Sequence, residues 1–334
     1  MKIQPKIYTL LILFLIISCN SSNLKYHSLQ GETMGTIYHI KYQAQENKDF
    51  KKEIDSLLIN VNNSLSTFIP TSTISRVNKA QLNTEIDAYF ETVFQKAKDV
   101  YLRTNGSFDP TVMPLVNAWG FGYDTIPNVD SNIIDSLLTF IGFNKILLSG
   151  KIIKKKRPEI QLDFSAIAKG FGVDVISKFL IEKGIENFMV EIGGEVRVLG
   201  KNSEGNNWKI GIEKPDENKR SLNSTISFNK MAIASSGNYR NFYYKNGKRF
   251  AHTINPKTGY PVDHNLLSVS VFANDCMTAD AYATAFMVMG VNKAIEIDKA
   301  VDSIAIHLIY EDENALMKTF TSEKLRGEIT KINN

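Results

Sequence analysis

The sequence predicts an α+β fold, mostly antiparallel sheets with helices packed on them. Three observations carry this. From Phe188 onward, short alternating segments follow one another across tight turns, as strands with one buried face do. Earlier in the chain, apolar residues recur three and four apart, as they do on one face of a helix. The balance of 43% hydrophobic to 22% charged residues over 334 positions suits a chain with a sizeable core, in one large domain or two moderate ones. The net charge of +4 is small and no basic block is interleaved with stacking aromatics, so nucleic acid is excluded in favour of small-molecule chemistry.

Taken in order, the chain opens with Lys2 and Lys6, an apolar run from Ile7 to Ile17, and Ser18-Cys19. That run is short for a membrane span but has the shape of an export signal. Ile16-Ile17-Ser18-Cys19 resembles a bacterial lipobox, which predicts a signal peptide over 1–18, acylation at Cys19, a tether over 19–30 and a folded domain over 31–330. The protein is then exported and anchored by lipid to a membrane on the periplasmic side of the cell envelope. A plain secretory signal is the alternative. The other cysteine, Cys276, has no disulfide partner once Cys19 is lipidated, and reads as a small buried filler.

Thr36 to Tyr42 alternates, with Tyr38, Ile40 and Tyr42 on one face, and predicts the first strand. Phe50, Ile54, Leu57, Leu58, Val61 and Leu65 predict a helix; Phe90 to Tyr101 predict a second, stopped by Asn105-Gly106. Phe108 to Gly122 reads as an apolar loop that either covers the core or walls a cavity. A short helix carrying Ile133, Ile134, Leu137, Leu138 and Ile141 precedes a hairpin turning at Ser149-Gly150. Glu159 to Leu162 alternates as a half-buried strand and leads into Asp163-Phe-Ser-Ala-Ile-Ala-Lys-Gly170, which opens a helix ending at Gly184. Phe188–Ile192, Glu195–Leu199, Trp208–Glu213, Ser224–Phe228 and Met231–Ser235 read as strands, Gly193-Gly194 as a tight turn, and Asn246-Gly247 as the turn of another hairpin.

Three features carry chemistry. Asp163 and Lys169 sit at a strand-to-helix junction, where free backbone N–H groups and the helix dipole suit a phosphate; an ordinary Asp cap with a solvated lysine is the other reading. Asp280 and Thr284 lie four apart on a closely packed helix from Met277 to Gly290, so carboxylate and hydroxyl share a face. Such oxygens suit Mg²⁺, and equally an ordinary hydrogen bond. His252 opens a polar, turn-rich segment and is placed to act as a general base.

The Asp163–Gly170 segment resembles the Asp-x-x-x-Ile-Ala-Lys-Gly motif of the ApbE family, the FAD:protein FMN transferases. Further resemblances run in the family's order through Gly31–Thr36, Phe108–Gly122, Glu191–Gly194, Ala234–Arg240, His252–Gly259 and Thr278–Ala285. The resemblance implies an ApbE-like, T-fold-related architecture. It implies FAD as substrate, held by Met34, Phe68, Phe108, Asp109, Pro110, Asp163, Lys169 and Ile254, with Phe68 standing where a tyrosine is frequent. It implies Mg²⁺ held by Asp280, Thr284 and the backbone at Ala166 and Ala283, with His252 and Asp280 in catalysis. The reaction so implied transfers FMN to a threonine hydroxyl of an acceptor protein, such as an Nqr- or Rnf-type redox subunit, and releases AMP. A metal-dependent FAD pyrophosphatase and a non-catalytic flavin-binding lipoprotein are the competing readings.

Overall fold

The structure, a computed structural model, describes residues 24–79, 83–122, 129–216, 221–238, 242–245 and 248–332. The expected signal peptide, Cys19, the start of the tether, Tyr239-Arg240 and the Asn246-Gly247 turn lie outside the described residues.

Strands β1 (Leu24–Thr33) and β2 (Thr36–Gln45) pair antiparallel in unbroken register. Their turn, Met34-Gly35, has positive φ at both residues, the conformation that matches strand twist in a two-residue hairpin. Tyr38, Ile40 and Tyr42 are fully buried, as their alternation predicts. Residues 24–30, expected as tether, are instead part of an edge strand. Its outward residues are polar because nothing covers them, so the hydrophobic signal is weak.

Helices α1 (Lys51–Leu65) and α3 (Ala88–Arg103) fall where the spacing predicts, with α2 (Thr73–Lys79) and β3 (Asn83–Glu85) between them. Asp87 caps α3 by accepting from the N–H groups of Tyr89 and Phe90. The apolar stretch 108–122 is helical in part: Asp109 starts a 3₁₀ turn over Pro110–Val112, which runs into α4 (Met113–Ala118). Then come α5 (Ser131–Leu138), β4 (Ile146–Ser149) and β5 (Ile152–Lys155); Ser149 pairs with Ile152, so the hairpin turns one residue later than expected.

Glu159 to Leu162 joins no sheet. Ile160 and Leu162 are buried, so the alternation is real, but the pairing comes from a side chain. The Asn78 amide donates to the Leu162 carbonyl at 2.8 Å and accepts from the Leu162 N–H at 2.7 Å, while the Asp163 N–H donates to the Pro110 carbonyl at 2.8 Å. These bonds satisfy the backbone that a neighbouring strand would otherwise pair.

The chain continues through α6 (Ser165–Glu182), β6 (Phe188–Ile192), β7 (Glu195–Leu199), β8 (Trp208–Glu213), β9 (Leu222–Phe228) and β10 (Lys230–Gly237). It ends with β11 (Phe242–Lys245), β12 (Lys248–Ala251), β13 (Leu266–Ala273), α7 (Cys276–Met289), α8 (Val291–Ala300), β14 (Ile304–Glu311), β15 (Met317–Thr321) and β16 (Ile329–Lys331).

Eight strands form one antiparallel sheet in the order β1-β2-β6-β7-β10-β13-β14-β15. Strand alternation divides its core in two. Val190, Ile192, Ala232, Ala234, Val269 and Val271 face the layer of α6 and α7. Val196, Val198, Ile233 and Phe272 pack instead with Trp208, Ile212 and Ile226 of a smaller sheet, β16-β9-β8. Both faces of the central strands are therefore covered over much of their length. Among the described residues, no helix is long and apolar enough to cross a membrane.

Candidate functional site

The site is organised by the contact between α6 and α7. A Cβ added to Gly170 would lie 2.4 Å from the Cys276 carbonyl oxygen and 2.8 Å from the Asp280 Cβ, so only glycine lets the helices approach this closely. Asp174, one turn further along α6, accepts from the N–H groups of Cys276 at 3.0 Å and Met277 at 2.8 Å, and is paired to Arg197 at 2.6 Å. Burial pushes the Asp174 carboxyl up; the two backbone bonds and Arg197 draw it back. One helix thus caps the other. Asp275 adds its own cap by accepting from the Thr278 N–H at 2.8 Å.

With the first turn of α7 fixed, Asp280 meets α6. Its Oδ2 accepts from the Gly170 N–H at 2.9 Å. In an α-helix the Ala166 carbonyl, four residues back, faces that same N–H, which places the two oxygens roughly 6 Å apart or less. Thr284, one turn beyond Asp280, and Ala166 both line the same cavity.

Lys169 does not sit on a solvated face. Its Nζ lies 3.2 Å from Glu195 Oε1 and 4.0 Å from Asp280 Oδ1, and both carboxylates are buried. Burial works against the ammonium charge, but Asp280 and Glu195 outweigh it, and the Lys169 pKa rises above its ordinary value. Burial likewise pushes the Glu195 carboxyl up; Lys169 pulls it down and Asp280 adds to the rise. Glu195 Oε2 is buried without a hydrogen-bond partner. Gly193 lets this corner close: its φ is +60°, and an added Cβ would meet Thr36 Cγ2 at 2.8 Å and Lys169 Cδ at 3.3 Å.

These groups open into a cavity of about 600 Å³. Its polar lining includes Asp163, Lys169, Glu195, Asp280, Thr284 and the backbone of Ala166; its apolar lining includes Phe108, Pro110, Val112, Val116, Phe121 and Ile254. Asp163 does not cap α6, whose cap is Phe164; it accepts instead from the Ser165 N–H at 2.8 Å and hydroxyl at 2.5 Å. Asp109 also faces the cavity, and burial pushes its carboxyl to about 6, against the opposing effect of its bonds from Thr111.

His252 lines the cavity just after β12, edge-on to Phe121 with ring centroids 6.3 Å apart. The segment after it is pinned by the Ile254–Pro261 bridge, the Val262 N–H on the Thr253 carbonyl at 2.9 Å, and the Trp119 indole N–H on the Gly259 carbonyl at 2.7 Å.

Of the residues expected at a site, Phe108, Asp109, Pro110, Asp163, Ala166, Lys169, His252, Ile254, Asp280 and Thr284 come together on one cavity wall or another. Met34, Phe68 and Ala283 are not among the lining residues. Met34 packs on α6, its Cε 2.8 Å from where a Gly172 Cβ would stand; Phe68 is 71% exposed; Ala283 is fully buried in α7. Sequence reading passed over Glu195 and Asp174. The signal for Glu195 was an acid directly after Gly193-Gly194, at the head of a strand flanked by other strands.

The donor set suits a hard divalent cation: a carboxylate, a hydroxyl and a backbone carbonyl, all oxygen, on a cavity with room for further oxygen ligands. Among the described residues, no group of three or more His, Cys, Asp or Glu is arranged to hold a metal, so a zinc-type set is absent there.

The sequence profile of the ApbE family matches residues 34–307. The chain belongs to the ApbE family. Among its relatives, the FAD:protein FMN transferase of Haemophilus influenzae is 40% identical over 310 residues, covering 88% of this chain and 89% of the relative. That of Vibrio cholerae is 37% identical over 327 residues, covering 96% and 97%. The solved structure of the flavin transferase ApbE from Vibrio cholerae superposes with a TM-score of 0.83 at 37% identity, covering 91% of this chain and 99% of that one. The ApbE fold thus accounts for the large antiparallel sheet with α6 and α7 laid across it.

Proposed function

We propose that this chain transfers FMN from FAD to a threonine hydroxyl of an acceptor protein and releases AMP. The observation that carries the reading is convergence. Asp163 and Lys169 from one end of α6, Asp280 and Thr284 from α7, and His252 from beyond β12 face one cavity with an apolar side suited to a ring system. Full-length similarity to enzymes named FAD:protein FMN transferase supports it.

Asp280, Thr284 and the Ala166 carbonyl are the groups that would hold Mg²⁺; bound there, the ion supplies positive charge against the pyrophosphate oxygens. Lys169 offers a charge-assisted donor to the phosphates. His252 takes the proton of the attacking hydroxyl. A bond forms between the threonine oxygen and the FMN phosphorus, the pyrophosphate bond on that phosphorus breaks, and AMP leaves with the electron pair. The apolar side shields the reacting centre from competing water.

The segment 7–19, an apolar run to Ile17 followed by Ser18-Cys19, supports anchoring as an exported lipoprotein. The transfer itself is tested by incubating the purified chain with FAD, Mg²⁺ and candidate exported acceptors. Acceptor mass should rise by one FMN at a threonine, with AMP formed in equal amount. Release of free FMN at the same rate with or without acceptor would overturn transfer in favour of hydrolysis.

A further inference from the structure

Lys169 has two buried carboxylates within ion-pair reach and stands closer to one. Its Nζ is 3.2 Å from Glu195 Oε1, at the outer edge of hydrogen-bonding distance, and 4.0 Å from Asp280 Oδ1, outside it. The other Asp280 oxygen is already occupied by the Gly170 N–H. Oδ1 is therefore the oxygen with capacity to spare, and it is also the one on which a released Lys169 would close. An ammonium and a divalent cation on one carboxylate oxygen exclude each other by charge and by room.

Glu195 is well fixed for keeping them apart. It heads β7, a strand paired on both sides, directly after the Gly193-Gly194 turn, and is 3% exposed. Lys169, by contrast, is a point charge on a flexible stem that follows whichever partner holds it.

We propose that Glu195 is a positioning residue that draws the Lys169 ammonium off Asp280 and so leaves Asp280 Oδ1 free for a divalent cation. This rests on the reading of Asp280 as a metal ligand given above. In this proposal Glu195 acts through Lys169. Without it, Lys169 collapses onto Asp280 and the cation site is closed from within.

The test is a double-mutant cycle read by direct binding of Mn²⁺, with free ion measured by electron paramagnetic resonance and no turnover required. Glu195→Ala should weaken Mn²⁺ binding about tenfold or more, and adding Lys169→Met to it should restore affinity to within about threefold of the unaltered chain. A purely structural role for Glu195 would not be repaired by removing the Lys169 ammonium as well. Glu195→Gln keeps the volume and should show the same pattern with a smaller shift, which covers the case in which the alanine variant does not fold. Unchanged Mn²⁺ affinity in the folded Glu195 variants, or no recovery in the double variants, would overturn the inference while leaving the metal site standing. An unaltered chain that fails to bind Mn²⁺ would overturn the metal reading and this inference with it.

Discussion

The wall that carries Lys169, Asp280 and Thr284 is set in two helices pressed together with no room for a methyl group, whereas the wall that carries Phe121 and His252 is held by rings stacked on rings. At Gly170 the neighbours are backbone atoms of α7, which cannot swing aside. On the other side, Trp119 stacks on Phe250 at 5.4 Å, Phe250 on Tyr243 at 5.5 Å, and Tyr243 lies 5.4 Å from Phe121. Strands β11 and β12 pair only with each other among the described residues. A lone two-stranded hairpin is marginal in water, so these aromatic contacts hold it in place. The difference separates tasks. Under the proposed function, the groups that would share one small ion stand on two helices in backbone contact, and the proposed proton acceptor follows a hairpin held by side-chain rings.

The largest effect tests that division on the aromatic side. His252→Ala should lower the transfer rate by a factor on the order of 10²–10⁴ with FAD affinity retained, as for loss of a general base. If FAD titration shows the loss in binding and not in rate, His252 belongs to recognition. Next, Lys169→Ala leaves Glu195 and Asp280 as buried carboxylates without their shared cation. It should destabilise the fold by about 3–5 kcal/mol and also weaken FAD. An unfolding free energy from urea titration lowered by less than about 1 kcal/mol would mean that the helix wall does not depend on the ammonium.

Gly170→Ala should follow, at about 1–3 kcal/mol, because α6 and α7 must part to admit the methyl group. Divalent-cation affinity should fall with it, since the Gly170 N–H on Asp280 is displaced; a variant of native stability and affinity would show that the contact has slack. The smallest effect belongs to Phe250→Leu, which keeps apolar bulk and loses stacking, at about 0.5–1.5 kcal/mol. It should raise the KM for the acceptor while FAD and cation affinities hold. Equal changes in all three would erase the distinction between the walls.

Much of this was legible in the residues. Tyr38, Ile40 and Tyr42 announced a buried strand face; Phe90 to Val100 announced a helix; and the i, i+4 spacing did bring Asp280 and Thr284 onto one cavity-lining face. What escaped did so for physical reasons. β1 has no hydrophobic period because it lies on a sheet edge. Glu159 to Leu162 has the period of a strand because alternate residues are buried, yet its backbone is paired by Asn78 and not by a ladder. Glu195 alternates against Val196 and Val198, which points it toward solvent in a two-layer reading; the α6–α7 layer on that face turns solvent into interior. Lys169 is expected from sequence at a helix end suited to phosphate, and its pairing with two acids is not, because one acid arrives from a strand 26 positions later that no local pattern connects to it.

Cys276 offers a clock for this arrangement. Its thiol is fully buried at the first turn of α7, 3.7 Å from the Val196 carbonyl and 3.6 Å from that of Ile233, and burial holds its pKa well above the usual thiol range. A thiol reagent can reach it only when α7 lifts from the sheet, so the alkylation rate at Cys276, located by peptide mass, reports the opening of the very helix that carries Asp280 and Thr284. Slower labelling as FAD or Mn²⁺ is added would measure, in units of time, how firmly each ligand latches that helix down.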